Sequence, residues 1–145
     1  VEEYANLLSL IIQEAPSGDF PLENECYDAE RVRDDERLIV SQGRQMQVAV
    51  ALSPDGNLAG HTQLVFPTSD PGDVYPWDTL VLGEHRGHGL GLSLKVHAMD
   101  VSEDLLAGRL CIHTHNAASN RPMIAVNEAM GFRQVAWLGE FVRRL

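Results

Sequence analysis

The residues best suited to chemistry lie in one run, Val81-Leu82-Gly83-Glu84-His85-Arg86-Gly87-His88-Gly89-Leu90-Gly91. An apolar, strand-like segment ends there. Gly87, Gly89 and Gly91 alternate with other residues, and an apolar helical pattern begins. Glycine lets the main chain turn tightly and lets a ligand come close to main-chain N–H groups. The first N–H groups of a helix have no partner within it, and the helix dipole behind them favours an anion such as a pyrophosphate. Arg86 adds a permanent positive charge that pairs with phosphate oxygens. The order of glycines is not the GxGxxG of a dinucleotide fold, and no Gly-Lys-Ser/Thr follows as in a Walker loop.

Histidines surround this run. His113 and His115 fall on one side of a predicted strand, and His85 and His88 flank the glycines. No carboxylate or cysteine completes a ligand set at a usual sequence spacing, so no metal is expected. Cys26 and Cys111 are far apart and belong to no CxxC pair. Two free thiols in a reducing cytoplasm is the better reading than a disulfide. The 11 basic and 21 acidic residues leave a formal charge of −10. That charge repels nucleic-acid phosphates and attracts a cationic substrate, although it also serves solubility. No apolar run approaches the roughly 20 residues needed to cross a bilayer, so no membrane partner is expected.

The elements that must position these groups follow from periodicity. In 145 residues, 44% hydrophobic and 22% charged, there is room for one globular domain. Tyr4, Leu7, Leu8, Ile11 and Ile12 form one helical stripe, ended by Pro16-Ser17-Gly18. After Pro21 a charged segment suits an exposed helix with Glu30–Arg33 and Arg33–Glu36 pairs; a second reading makes it the lip of a site for an amine. Residues 47–52 and 58–66 read as a hairpin about the turn Ser53-Pro54-Asp55-Gly56-Asn57. Residues 67–76 read as loop, 77–82 as strand, 87 to about 106 as helix and 110–115 as strand. A helix over 121–130 and a last strand from about Gln134 complete the order. The fold class is α/β (α+β): a mixed sheet flanked by helices, with parallel strands on either side of the residue-87 helix.

Arg86-Gly87-His88-Gly89-Leu90-Gly91 resembles the Arg/Gln-x-x-Gly-x-Gly/Ala signature of the GNAT superfamily of N-acetyltransferases. Residues 116–132 resemble its second conserved region, in which an Asn precedes the last helix and Gly-Phe closes it; Asn120 and Gly131-Phe132 stand at those places. The wording around both motifs is similar to actinobacterial members, in which two such domains often lie in tandem. The resemblance implies a mostly antiparallel central sheet with a splayed parallel strand pair. It implies acetyl-CoA as cosubstrate and direct attack by a primary amine in a ternary complex. Main-chain groups of Leu80, Val81 and Leu82 would pair with the pantetheine. Those of Arg86, Gly87, His88, Gly89, Leu90 and Gly91 would hold the pyrophosphate. Asn120 would either bond the coenzyme or cap its helix.

The same resemblance assigns proton tasks. Asp78 is the carboxylate on the key strand and the candidate base, with His61 and His115 as alternatives. The usual acid is a Tyr four residues before Gly-Phe, where this chain has Asn127; an amide cannot protonate a thiolate. Tyr75 and Tyr27 are the candidate substitutes. The alternative to an enzyme is a non-catalytic acyl-CoA-binding or structural domain. The family fold normally opens on a strand, whereas this chain opens at Val1 in a helix. The expectation is therefore one GNAT-like domain over residues 1–145 that lacks its first strand or is the carboxyl-terminal half of a tandem protein. Its partner would then be a second GNAT domain or another copy of itself.

Overall fold

The computed structural model describes residues 1–14, 26–139, 141 and 143. The predicted breaks at Pro16-Ser17-Gly18 and Pro21 lie outside the described residues, as does the side chain of Ile12. Helix α1 spans Glu2–Glu14 and α2 spans Ala29–Ser41. Ala5 and Leu8 of α1 pack with Val32 of α2, joined by Tyr4, Ile11 and Tyr27. Asp28 caps α2 by accepting the Arg31 N–H at 2.8 Å, which satisfies one of the orphan donors of a helix start. The outer face of α2 carries Arg33–Glu36 at 2.6 Å and an Asp34–Arg37 pair, all solvent-exposed. Such pairs add little stability.

One four-stranded sheet runs in the order β1-β2-β3-β4, with β1 Arg44–Leu52, β2 Leu58–Pro67, β3 Asp73–Val81 and β4 Cys111–Ile112. The first three are antiparallel, and β3 and β4 are parallel. Strand β2 lies inside, and its side chains alternate between two covered faces. Leu64 and Phe66 join Ala49, Val74, Leu94 and Ala98 in the main core under α3, Leu90–Asp100. His61 and Gln63 point the other way, where both meet the Tyr4 hydroxyl of α1. No helix among the described residues is long and apolar enough to cross a membrane.

Several boundaries differ from expectation. Strand β3 begins at Asp73, inside the predicted loop, and contains Pro76. Its register with β2 steps from Thr62↔Thr79 to Leu64↔Pro76, so Trp77 and Asp78 together face the single residue Gln63. This is a β-bulge, one of the few places in a sheet where proline is tolerated. The predicted helix from residue 87 starts only at Leu90, because Gly87 (φ 80°) and Gly89 (φ 77°) are left-handed. It is interrupted at Val101 and Ser102 and resumes as α4, Glu103–Leu106. Strand β4 is shorter than predicted. The last strand expected from about Gln134 does not form among the described residues: residues 132–139 are neither helix nor strand, and Val135, Trp137 and Leu138 are exposed. A strand needs a ladder to join, and β4 offers only two residues of one. Helix α5 spans Arg121–Ala129, capped by Asn120, which accepts the Met123 N–H at 3.3 Å.

Candidate functional site

Strands β3 and β4 are in register at only two pairs, Asp73↔Cys111 and Val74↔Ile112. A further bond runs from the His113 N–H to the Val74 carbonyl at 2.9 Å. Beyond it the chains part. Strand β3 keeps β2 on one edge, while its other edge past Val74 has no strand partner among the described residues. The bulge at Trp77 and Asp78 lies where the strands diverge. A cavity of about 200 Å³ opens there, lined by Trp77, Asp78 and Thr79 of β3, by Thr114, His115 and Asn116 beyond β4, and by Lys95, Asn120 and Met123.

Two oppositely charged groups face this cavity. Asp78 is solvent-accessible at its mouth, yet the protein around it removes enough water to raise the pKa of its carboxyl. Lys95 of α3 is 4% exposed, and burial lowers the pKa of its ammonium. Behind them Asn127 is buried and donates from Nδ2 to Asn116 Oδ1 at 2.7 Å. Its own Oδ1 is buried without a partner among the described residues.

The glycine bend follows β3. Leu82 donates its N–H to Ala59 at 3.0 Å, and Arg86 donates from Nε to the Val81 carbonyl at 2.8 Å. The first bond of α3 runs from the Ser93 N–H to the Gly89 carbonyl at 3.0 Å. The N–H groups from Gly87 to Leu92 thus have no main-chain acceptor among the described residues. A Cβ placed at Gly83, Gly87 or Gly89 would meet no atom of the described residues within 4 Å, so the bend stands open. An open row of unpaired donors at the head of an eleven-residue helix suits an anion.

The model of the acetyltransferase (GNAT) family matches residues 10–132 of this chain. The chain belongs to the GNAT family. Its mixed sheet, antiparallel strands followed by a parallel pair, is the GNAT fold. A tandem GNAT protein from the clavulanic acid biosynthesis pathway is 35% identical, with a TM-score of 0.65 over 70% of this chain; the chain spans only 32% of that protein. A Pyrococcus furiosus protein assigned to the acetyl transferases is 26% identical, with a TM-score of 0.69, and 97% of this chain covers 93% of it. The structure of AAC(6')-Iy with the bisubstrate analogue CoA-S-monomethyl-acetylneamine, 15% identical, shares the fold with a TM-score of 0.65 over 99% of this chain and 90% of its own. No similar protein was found among curated sequences.

This GNAT domain gathers some of the predicted residues and separates others. Asp78, His115 and Asn120 line one cavity. Arg86, Gly87, His88 and Gly89 form the open bend; Leu90 and Gly91 start the helix, and Leu80, Val81 and Leu82 lead into it. Tyr75 does not line the cavity. It stands at the joined end of β3 and β4, where its hydroxyl donates to Asp73 Oδ2 at 3.4 Å and its ring stacks on His113 at 6.0 Å. Its pKa is raised, first by desolvation and then by the Asp73 and Asp70 carboxylates. His61 is fully buried beneath α1, away from the gap, and desolvation lowers its pKa to about 4. Tyr27 belongs to the packing between α1 and α2, with the Arg31 guanidinium 4.4 Å above its ring. Sequence reading missed Lys95. The available signal was a lysine next to Leu94 and three residues before Ala98, on a helix face that is otherwise apolar.

Proposed function

We propose that this domain transfers an acetyl group from acetyl-CoA to a primary amine by direct attack in a ternary complex. The observation that carries the reading is the continuity of three features: the open glycine bend, the unpaired edge of β3, and the cavity holding Asp78 and Lys95. The residues present fit the cosubstrate. Main-chain N–H groups from Gly87 to Leu92 and the Arg86 guanidinium hold the pyrophosphate. The free edge of β3 pairs with the pantetheine amides as an added strand would. A main-chain N–H near the bulge polarises the thioester carbonyl. Holding amine and thioester together in a shielded gap provides much of the rate.

Asp78 takes the ammonium proton, through water, and a raised carboxyl pKa makes it a stronger base at neutral pH. The amine nitrogen then bonds the acyl carbon as the carbon–sulfur bond breaks, and that nitrogen sheds its second proton to water, leaving a neutral amide. Lys95 gives a proton to the departing thiolate, a task its lowered pKa eases and one that Asn127 cannot perform. His115 borders the same cavity and is the alternative base. The acceptor is a small or peptide amine, favoured by the −10 charge. The likeness to a tandem GNAT protein supports a second GNAT domain as partner, and the free thiols support a cytoplasmic setting.

Asn127 in place of the usual tyrosine favours a second reading, a domain that binds acyl-CoA without turning it over. Thiol release from acetyl-CoA across a panel of amines separates the two. The first reading expects turnover that falls at least about 100-fold in kcat in Asp78→Asn. It also expects at least about a tenfold rise in KM for acetyl-CoA in Arg86→Glu. Tight acetyl-CoA binding with no turnover on any amine overturns the enzyme. Unchanged coenzyme affinity in Arg86→Glu overturns the cradle.

A further inference from the structure

We propose that Asp73, Cys111 and His113 form a binding site for a divalent cation of the zinc type at the joined end of β3 and β4. The parallel pairing builds it. Asp73 is in register with Cys111, and Val74 with Ile112. Residues two apart on a strand share a face. Asp73, Tyr75, Cys111 and His113 therefore stand on one face, while Val74 and Ile112 pack on the other with the core beneath α3. The ligand atoms of Asp73, Cys111 and His113 all lie within 4.8 Å of one another. Asp73 Oδ1 and His113 Nε2 are 3.3 Å apart. Zinc bonds of about 2.0–2.1 Å to nitrogen and oxygen and about 2.3 Å to sulfur set tetrahedral donors roughly 3.3–3.6 Å apart. The carboxylate and imidazole are already at that spacing, and a small movement of the thiol completes the triangle.

The donor set selects the ion. One thiolate, one imidazole and one carboxylate suit Zn²⁺ or Co²⁺, whereas Ca²⁺ and Mg²⁺ prefer oxygen alone. The thiol proton leaves as Cys111 binds. Neighbours hold the ligands in place, as outer-shell groups do around metals. The Tyr75 hydroxyl donates to the second carboxylate oxygen of Asp73 at 3.4 Å, and its ring lies on His113. Arg109 Nη1 fixes the Asp73 carbonyl at 3.2 Å. Three protein ligands leave the fourth position to water. Cys111 is exposed and His113 and Asp73 are partly so, which gives an ion access. A cation here fastens two strands otherwise held by two residue pairs, at the vertex of the gap.

Titration of the whole chain with Co²⁺, followed by absorption, tests this without reference to transferase activity. The expected result is one Co²⁺ per chain with a sulfur-to-cobalt charge-transfer band that Zn²⁺ displaces. Cys111→Ser and His113→Ala abolish the band, and Asp73→Asn weakens binding at least tenfold. Cys26→Ser alters the other thiol and leaves the band intact. Circular dichroism confirms that each variant folds, which the exposure of these side chains favours. Absence of the band at millimolar Co²⁺ overturns the site, as does a band that survives Cys111→Ser or is lost in Cys26→Ser.

Discussion

Lowering the pH from about 7.5 to about 5 should cost this domain about 2 kcal/mol of stability through His61 alone. His61 is fully buried. Its Nδ1 lies 3.0 Å from the Tyr4 hydroxyl, which in turn accepts from Gln63 Nε2 at 3.1 Å. With the Tyr4 proton donated to Nδ1, the ring proton stands on Nε2, which has no partner among the described residues. A second proton would place a charge in a site cut off from water. Desolvation accordingly lowers the pKa from 6.5 to about 4. Between those values the unfolded chain binds a proton that the folded chain refuses, so stability falls as pH falls. The full difference is about 3 kcal/mol at ~1.36 kcal/mol per pH unit. Roughly two-thirds of it is lost by about pH 5, where the unfolded histidine is almost wholly protonated. Urea unfolding of the parent and of His61→Phe, at several pH values between about 7.5 and 5, isolates this group from the carboxylates. The parent should lose about 2 kcal/mol more than the variant over that range. An imidazole NMR titration should show His61 still neutral at about pH 5. Parallel stability curves, or a His61 ring that titrates near 6.5, would mean that burial does not hold His61 neutral.

Gly60→Ala should destabilise by about 1–3 kcal/mol, read as a fall in the thermal midpoint, because close approach leaves no room to relax. Its added Cβ would lie 2.5 Å from the Leu80 carbonyl oxygen. Arg109→Ala should cost about 2–3 kcal/mol in urea unfolding and expose the chain before β3 to proteases, since charged hydrogen bonds to main-chain carbonyls are lost. Its Nη1 serves the carbonyls of Pro67, Asp70 and Asp73, and its Nε that of Leu105. Lys95→Met should split two readouts: a thermal midpoint equal to or above the parent's, because a desolvated cation is removed, and slower thiol release. A lower midpoint with unchanged turnover would take Lys95 out of the mechanism.

What the sequence made legible was local. The hairpin turn, the glycine bend and the Asn120 cap each depend on residues within a few positions of one another, and each stands where periodicity and turn chemistry put it. The family motifs lie in these same segments. What stayed hidden depends on partners distant in sequence. The bulge at Trp77 and Asp78 exists only against β2, so residues 73–76 read as loop beside their prolines. Lys95 reads as one more charge on a helix until α3 is laid over the sheet. Asp73 cannot be joined to Cys111 and His113 by any spacing rule, because only the parallel register brings them side by side. The alternation after Gln134 has a strand's pattern, but pattern alone supplies no neighbour to pair with.

The short union of β3 with β4 has a mechanical consequence. From Val74 to Val81 the strand runs about 23 Å at ~3.3 Å per residue, all of it on one side of the pivot. A rotation of about ten degrees there swings the far end by about 4 Å along such a lever. How wide the cleft stands is thus governed from the corner where β3 and β4 meet, a long way from the atoms that react.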